Sequence, residues 1–150
     1  MPRVTIELLE GRTLEQKRAL IKEIGAATCE VFEIPPSHSL VRFEEIRFED
    51  FGSGGELRSD IRVREGKPVY AAMIEPRLTI LLSEGRTMDQ KRAFLKRISE
   101  KTAEILEVPL RSVTAYMTEM KYDEFALGGT FYCDGSVPNL LSDQKKNHGK

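Results

Sequence analysis

The feature that most constrains the fold of this chain is an internal repeat. Residues 2–55 align with residues 76–129 without a gap, and 23 of the 54 aligned pairs are identical. Both copies open with proline, at Pro2 and Pro76, and both place a Glu-Gly-Arg-Thr segment eight residues later. Self-similarity at a fixed spacing indicates two copies of one supersecondary unit that bury a shared core. We therefore expect a fold built from two equivalent halves.

The two prolines differ in chemistry although they occupy equivalent positions. Removal of Met1 would make Pro2 a free secondary amine, whereas Pro76 is locked in an amide and has no basic nitrogen. A proton acceptor of this kind is therefore expected only in the first copy. One duplicated scaffold would carry one amine catalyst.

The composition argues against several classes of function. A chain of 150 residues that is 40% hydrophobic can bury a core, either as one compact domain or as two small halves. A formal charge of -1 gives no support to nucleic-acid binding. No apolar run approaches the roughly 18 residues that span a membrane, and the N-terminus lacks the apolar stretch of a secretory signal. We expect a cytoplasmic protein with no nucleic-acid or membrane partner.

Cysteine and histidine give no sign of a metal or cofactor site. Cys29 and Cys133 are more typical of two ordinary thiols than of a disulfide, although both readings fit the sequence. His38 and His148 are far apart and lack the spacing of metal ligands. We therefore expect chemistry without a metal or a cofactor.

Each copy predicts a strand, a helix and a second strand. Apolar and polar residues alternate over residues 4–8 and 78–82, which is typical of a strand with one buried face. A Thr-x-x-Gln capping box follows each of these segments and marks the start of a helix with apolar residues at helical spacing. A proline ends each predicted helix. The second strands are expected at about residues 40–46 and 113–120.

These elements predict an α/β fold of two fused β-α-β units, with one four-stranded sheet and both helices on one face. The other face of the sheet is expected to be apolar and to need a partner, so we expect an oligomer. We divide the chain into a first repeat (1–57), a connecting segment (58–75), a second repeat (76–129) and a C-terminal strand with a polar tail (130–150). The connecting segment is rich in apolar residues, which favours a hairpin or an extra strand there.

The repeat also carries motifs that resemble a known family. Both copies read Pro-x-x-x-Ile-x-x-x-Glu-Gly-Arg-Thr-x-x-Gln-Lys. The second copy continues with Pro109-Leu110, Ser112-Val113, Thr118-Glu119-Met120, Phe125 and Gly128-Gly129. This combination resembles the 4-oxalocrotonate tautomerases over roughly residues 2–57 and 76–129. Two copies in one chain are similar to the fused branch of that superfamily, which includes proteins like cis-3-chloroacrylic acid dehalogenase and malonate semialdehyde decarboxylase.

The resemblance implies a fold, a reaction and an assembly. The fold would be the tautomerase/MIF-like fold, and the reaction a cofactor-independent tautomerisation of a small enol or dienol carboxylic acid such as 2-hydroxymuconate. The family's amino-terminal proline is a general base, which implies this role for Pro2. Burial and nearby arginines would lower the pKa of its amine and keep it unprotonated near neutral pH. The fused branch forms trimers, which implies a homotrimer.

The resemblance further implies arginines that bind the substrate carboxylate. The first family arginine corresponds to Arg86, our first choice to face Pro2, and to Arg12, our second choice. As an alternative, either residue is a solvated arginine in a turn without a role in binding. A further alternative for Arg12 is a place beside Pro76, in a site without catalytic activity. A second family arginine, on the second strand, is missing from both copies. Arg42 lies two residues beyond that position in the first copy and either replaces the charge or is an ordinary surface residue.

Three aromatic residues complete the site that the resemblance implies. Phe51 and Phe125 match the family phenylalanine that makes the proline pocket apolar, although core packing explains both equally well. Tyr116 matches a tyrosine of the dehalogenase-like branch that polarises substrate or water. The alternative for Tyr116 is a half-buried strand tyrosine.

Two other functions stay open. In the first, a protonated Pro2 acts as a general acid in a hydratase, dehalogenase or decarboxylase that uses a three-carbon acid. Ser83, Leu127 and Cys29 stand where the dehalogenase-like branch has an arginine, a water-activating glutamate and a histidine, which disfavours hydrolytic dehalogenation. The second alternative is a trimeric binding module without catalysis. This alternative is consistent with the missing second-strand arginine and with the amide nitrogen of Pro76.

Overall fold

The computed structural model describes residues 2–66 and 75–135, so the expected polar tail and part of the connecting segment lie outside the described residues. Its helices and strands follow the two copies of the repeat. In chain order they are β1 (Arg3–Leu9), α1 (Leu14–Phe32), β2 (Leu40–Ile46), β3 (Gly52–Ser53), β4 (Glu56–Leu57), α2 (Arg58–Glu65), β5 (Arg77–Ser83), α3 (Met88–Leu106), β6 (Thr114–Met120), β7 (Ala126–Leu127) and β8 (Thr130–Phe131).

The main sheet has four strands in the order β2-β1-β5-β6. Within each copy the two long strands are parallel and are joined by a long helix, because parallel neighbours need a crossover connection. The two copies meet through β1 and β5, which pair antiparallel. The predicted α/β fold of two fused β-α-β units is therefore confirmed.

The core lies between this sheet and the two long helices. Alternate residues of β1 and β5 are almost fully buried and pack against apolar residues of α1 and α3. At the contact between the helices, the rings of Phe32 and Phe94 lie 4.9 Å apart. Burial of each large apolar side chain contributes about 1.5–3 kcal/mol to folding. The buried core residues of the strands are Val4, Ile6, Leu8, Leu78, Ile80 and Leu82.

Both long helices begin with the same pair of hydrogen bonds. The hydroxyl of Thr13 accepts from the backbone N–H of Gln16 at 3.1 Å, and the side-chain oxygen of Gln16 accepts from the N–H of Thr13 at 2.9 Å. Thr87 and Gln90 repeat this arrangement at 3.1 and 3.0 Å. These capping boxes satisfy backbone donors that have no partner inside the helix, as the sequence predicts.

The start of the connecting segment corrects the sequence-based prediction. The apolar residues of this segment predict a hairpin or an extra strand, but Arg58–Glu65 forms helix α2, which ends where Gly66 adopts a φ of 74°. The rest of that prediction falls on residues 67–74, which lie outside the described residues. Ile61 and Val63 alternate as in a strand, yet only Ile61 is buried, and Val63 is 84% exposed. The apparent alternation therefore does not reflect a buried strand face.

The open face of the main sheet also differs from the expectation that it would be apolar. Because side chains alternate along a strand, burial of Val4, Ile6 and Leu8 under the helices leaves the polar side chains of β1 on the other face. That face also carries the apolar Leu40 and Leu81, which are paired with Arg3, so it is mixed rather than apolar throughout. In the middle of that face, the pairing register forms one row across the four strands. The row consists of Arg42, Thr5, Thr79 and Tyr116.

Candidate active site

The strand pairing brings Pro2 and Arg86 to one end of the sheet, which we term the Pro2 end. β1 and β5 pair antiparallel with Arg3 opposite Leu81, so Pro2 comes beside the last residues of β5. The turn that leaves β5 at this end carries Arg86. Pro2 is buried, and its carbonyl oxygen accepts a hydrogen bond from the N–H of Leu40 at 3.2 Å. This bond ties Pro2 to the beginning of β2.

The opposite end of the sheet, which we term the Pro76 end, holds the equivalent residues of the other copy. The carbonyl oxygen of Pro76 accepts a hydrogen bond from Thr114 at 3.1 Å, and the turn that leaves β1 there carries Arg12. Strands of seven residues separate the two ends by roughly 20 Å. One chain thus contains two equivalent pairs of proline and arginine, one at each end.

At the Pro76 end, Arg12 binds the carboxylate of Glu75, the residue that precedes Pro76. Its Nη1 donates to Oε1 at 2.6 Å and its Nη2 donates to Oε2 at 3.1 Å. Oε1 also accepts the backbone N–H of Leu9 at 2.8 Å. The side chains of Arg12 and Glu75 are each only 3% exposed. The result is a buried, bidentate carboxylate clamp directly beside a proline.

Arg86 occupies the equivalent turn position at the Pro2 end, but its surroundings differ. Met1 precedes Pro2, so the sequence supplies no carboxylate at the place that Glu75 takes in the other copy. The guanidinium carbon of Arg86 lies 5.0 Å from the centroid of the Phe32 ring, within the range of a cation–π contact. Within residues 2–66 and 75–135, Arg86 forms no ion pair. Its positive charge therefore has no counter-ion from the described part of the chain.

The two predicted pocket phenylalanines are divided between the ends. Phe51 lies after β2 at the Pro76 end and packs, half-buried, against a small cluster of apolar residues. Phe125 lies after β6 at the Pro2 end, with its ring centroid 5.9 Å from that of Tyr132. The hydroxyl of Tyr122 donates to the carbonyl oxygen of Glu84 at 3.1 Å and ties this region to the exit turn of β5. Phe125 therefore shares its end of the sheet with Pro2.

Arg42 and Tyr116 lie in the middle of the open sheet face rather than at either end. Arg42 forms an ion pair with Glu44, which is farther from the Pro2 end along β2. Tyr116 is on β6 at the opposite edge of the sheet and is 60% exposed. Within one chain, neither Arg42 nor Tyr116 therefore lies at the Pro2 end with Pro2 and Arg86.

Glu75 is the residue that sequence reasoning missed. It lies at the boundary between the connecting segment and the second copy, and its counterpart in the repeat is Met1, so no shared motif marks it. The available signal was an acidic residue directly before Pro76, whereas Met1 precedes the equivalent Pro2. A carboxylate at that position was a candidate partner for one of the turn arginines.

Other kinds of site find no support in the described residues. Among residues 2–66 and 75–135, no group of three or more His, Cys, Asp or Glu could hold a metal ion. The same part of the chain contains no helix that is long and apolar enough to cross a membrane. Cys29 and Cys133 are both exposed free thiols.

A family model matches both copies of the repeat, and curated relatives match over the length of one copy. A family model described as "Tautomerase enzyme" matches residues 2–61 and 76–134. A probable tautomerase of Listeria monocytogenes is 43% identical over 61 residues, which cover 41% of this chain and 100% of that protein. A 2-hydroxymuconate tautomerase of Pseudomonas putida is 40% identical over 62 residues, which cover 41% of this chain and 98% of that protein.

A solved structure matches the arrangement of the two copies in one chain. It is described as the wild-type asymmetric trimer of F6, a fused 4-OT (4-oxalocrotonate tautomerase). It matches this chain with a TM-score of 0.74 at 25% identity. The match covers 89% of this chain and 98% of that chain. The duplicated architecture is therefore shared with a fused protein, whereas the curated relatives have the length of a single copy.

Proposed function

The chain belongs to the tautomerase family and is an isomerase of its fused branch, and we propose that it interconverts enol or dienol and keto forms of a small unsaturated carboxylic acid. The substrate class is that of 2-hydroxymuconate, and the reaction uses no cofactor. After removal of Met1, Pro2 is the general base and Arg86 binds the substrate carboxylate.

One observation carries this proposal, namely the clamp of Arg12 on Glu75. It is an arginine on the exit turn of one copy that binds a carboxylate beside the proline of the other copy. Arg86 is the duplicate of Arg12, and Pro2 is the duplicate of Pro76. The duplicated geometry supports the proposal that Arg86 binds the carboxylate of a substrate at the Pro2 end. The bound substrate would then lie beside the nitrogen of Pro2.

The proposed reaction is a proton transfer between oxygen and carbon. The neutral nitrogen of Pro2 takes the proton from the enol oxygen, and the resulting dienolate is stabilised by the positive charge of Arg86. The protonated Pro2 then returns the proton to a carbon of the substrate and regenerates the amine. Burial of Pro2 and the nearby guanidinium both disfavour its ammonium form, so the amine can accept protons near neutral pH.

The remaining predicted residues take roles according to their position. Phe125 is the apolar wall of the Pro2 site, because it lies at the same end of the sheet. Phe51, Arg42 and Tyr116 would contact the substrate only from a neighbouring chain. Arg12 has Glu75 as its carboxylate partner, which argues against a contact between Arg12 and the substrate at Pro2.

We also propose a homotrimer in the cytoplasm that acts on a small-molecule acid, with no nucleic-acid or membrane partner. The assembly is proposed because the fused 4-OT F6 is described as a trimer. In a trimer, the open sheet face and the short hairpins would meet other copies of the chain. Residues from a neighbour would then complete the surroundings of Pro2.

An ultraviolet assay tests the proposed reaction. Ketonisation of 2-hydroxymuconate is followed with wild-type protein, and enols of monocarboxylic acids and unsaturated three-carbon acids serve as comparison substrates. We expect the dienol to turn over fastest. Faster hydration or decarboxylation of the three-carbon acids would instead assign Pro2 the role of a general acid.

A further inference from the structure

The Pro76 end contains a complete carboxylate-binding arrangement that the proposed reaction does not use. Arg12 and Pro76 are the duplicates of Arg86 and Pro2, so both ends of the sheet inherit the same arrangement. The residue before the proline distinguishes the two ends. It is Glu75 at one end and Met1 at the other.

The carboxylate of Glu75 has the contacts expected of a bound acid. Two guanidinium N–H groups of Arg12 and the backbone N–H of Leu9 donate to its two oxygens, at 2.6, 3.1 and 2.8 Å. The carboxylate is withdrawn from water, since its side chain is 3% exposed, so these bonds replace its hydration. A small carboxylic acid held by the same three donors would have the same surroundings.

This pair differs from the other ion pairs of the described residues. In each of the others at least one side chain is substantially exposed, as in Lys17–Glu45 and Lys91–Glu119, and such pairs contribute little to stability. Among residues 2–66 and 75–135, Arg12–Glu75 is the ion pair in which both side chains are less than a tenth exposed. It therefore stands apart from the exposed charge pairs that link the helices to the sheet.

We propose that Arg12, Pro76 and the backbone of Leu9 form a second carboxylate-binding site, and that Glu75 fills it as a tethered internal ligand. This inference rests on the proposed function, in which Arg86 binds the substrate carboxylate beside Pro2. The native chain then takes one acid ligand, at the Pro2 end. A chain without the Glu75 carboxylate takes a second ligand at the Pro76 end, a small monocarboxylic acid such as acetate or propionate.

Replacement of Glu75 and rescue by a free acid tests the site without any activity measurement. Glu75→Ala removes the carboxylate and leaves the positive charge of Arg12 buried, so the variant should melt below the wild type. Acetate or propionate at constant ionic strength should raise its melting temperature by roughly 5–10 °C at a concentration near 100 times Kd. The wild type should show no such rise relative to chloride, because Glu75 occupies the site.

Two control variants separate binding at this site from a general salt effect. Glu75→Gln fills the same space without a charge, so acetate should not stabilise it. Arg12→Ala combined with Glu75→Ala has the space but lacks the cation, so rescue should also be lost. If Glu75→Ala is unfolded in buffer, the same titration is followed as recovery of the helical circular dichroism signal.

Titration of the wild type provides a second measurement that does not depend on the variant. Calorimetry with adipate, a saturated six-carbon diacid that cannot tautomerise, should find one site per chain. Two sites per chain, with the second lost in Arg12→Ala, would overturn the proposal. The proposal would also be overturned if acetate did not change the melting temperature of Glu75→Ala. The same holds if acetate raised the melting temperatures of the wild type and Glu75→Ala equally.

The outcome is separable from that of the proposed function. A wild type that does not turn over enols, with a Glu75→Ala variant that is still rescued by acetate, would contradict only the proposed function. An active wild type with a Glu75→Ala variant that acetate does not rescue would contradict only the internal ligand.

Discussion

At the scale of single residues, the asymmetry of this duplicated chain comes from what precedes each proline. Pro76 is joined to Glu75, so its nitrogen is an amide and its arginine already holds a carboxylate. Pro2 follows Met1, which has no carboxylate, and Arg86 has no counter-ion within the described residues. The two ends share one duplicated backbone. Under the proposed function, the Pro2 end would combine an amine, once Met1 is removed, with a guanidinium that binds the substrate carboxylate.

Pro2→Ala tests the general base, with Pro76→Ala as its matched control. We expect kcat for enol ketonisation to fall by roughly 100-fold or more in Pro2→Ala, because positioned proton transfer contributes on that scale. Pro76→Ala should retain activity within a few-fold, since its nitrogen takes no part. A Pro2→Ala variant with wild-type kcat, in an intact oligomer, would disprove the assignment of Pro2.

Arg86→Ala tests the carboxylate contact. We expect kcat/KM to fall by roughly 10- to 100-fold, because a hydrogen bond to a charged group is lost, and kcat to fall with it because the dienolate loses its counter-charge. Arg86→Lys should recover only part of the loss, since an ammonium cannot form the bidentate fork. Steady-state kinetics check both variants, and unchanged constants in Arg86→Ala would remove this residue from the site.

At the scale of elements, the features that the sequence predicted correctly are those that depend on near neighbours. The capping boxes involve residues three apart, and the strand alternation involves residues two apart, so both are visible in a short window. The connecting segment is predicted as a hairpin or an extra strand because it is rich in apolar residues, but Arg58–Glu65 forms helix α2. Apolar content does not distinguish a strand from a helix that carries Ile61 and Val63. Which of the two side chains becomes buried depends on packing that the short window does not contain.

Thr13→Ala and Thr87→Ala test the helix caps. Each variant should lose about 1 kcal/mol of stability, because the first backbone N–H groups of the helix lose their acceptor. For a chain of this length that corresponds to a fall in melting temperature of about 2–4 °C. Thr13→Ser and Thr87→Ser keep the hydroxyl and should melt near the wild type. Equal losses in the Ala and Ser variants would exclude the capping bond as the cause.

At the scale of the whole molecule, the pairing of β1 with β5 decides which residues meet. This pairing joins segments at least 70 residues apart, and the repeat gives each arginine two possible prolines. The resemblance ranks Arg86 above Arg12 for Pro2 and offers a place beside Pro76 as an alternative for Arg12, which is where Arg12 lies. No local sequence pattern assigns the two arginines to opposite ends. The position of Arg42 and Tyr116 in the middle of the open face also follows from the register across all four strands.

The proposed assembly makes a prediction for the mass in solution. Sedimentation equilibrium at neutral pH should give a mass near three times the 17.0 kDa of one chain. Activity should fall on dilution below the concentration at which the proposed trimer dissociates, because a neighbouring chain would complete the site. A fully active species with the mass of a single chain would contradict the trimer and the contributions assigned to its neighbours.

The amine of Pro2 is the centre of this account, and the most direct test compares one sequence with its N-terminus open and blocked. One preparation lacks Met1 and the other retains it, as verified by intact mass. Each is assayed by following the ketonisation of 2-hydroxymuconate in the ultraviolet. We predict turnover only without Met1, with a rate that rises with pH as the amine loses its proton and then levels off. Equal turnover by the two preparations would contradict a catalytic Pro2.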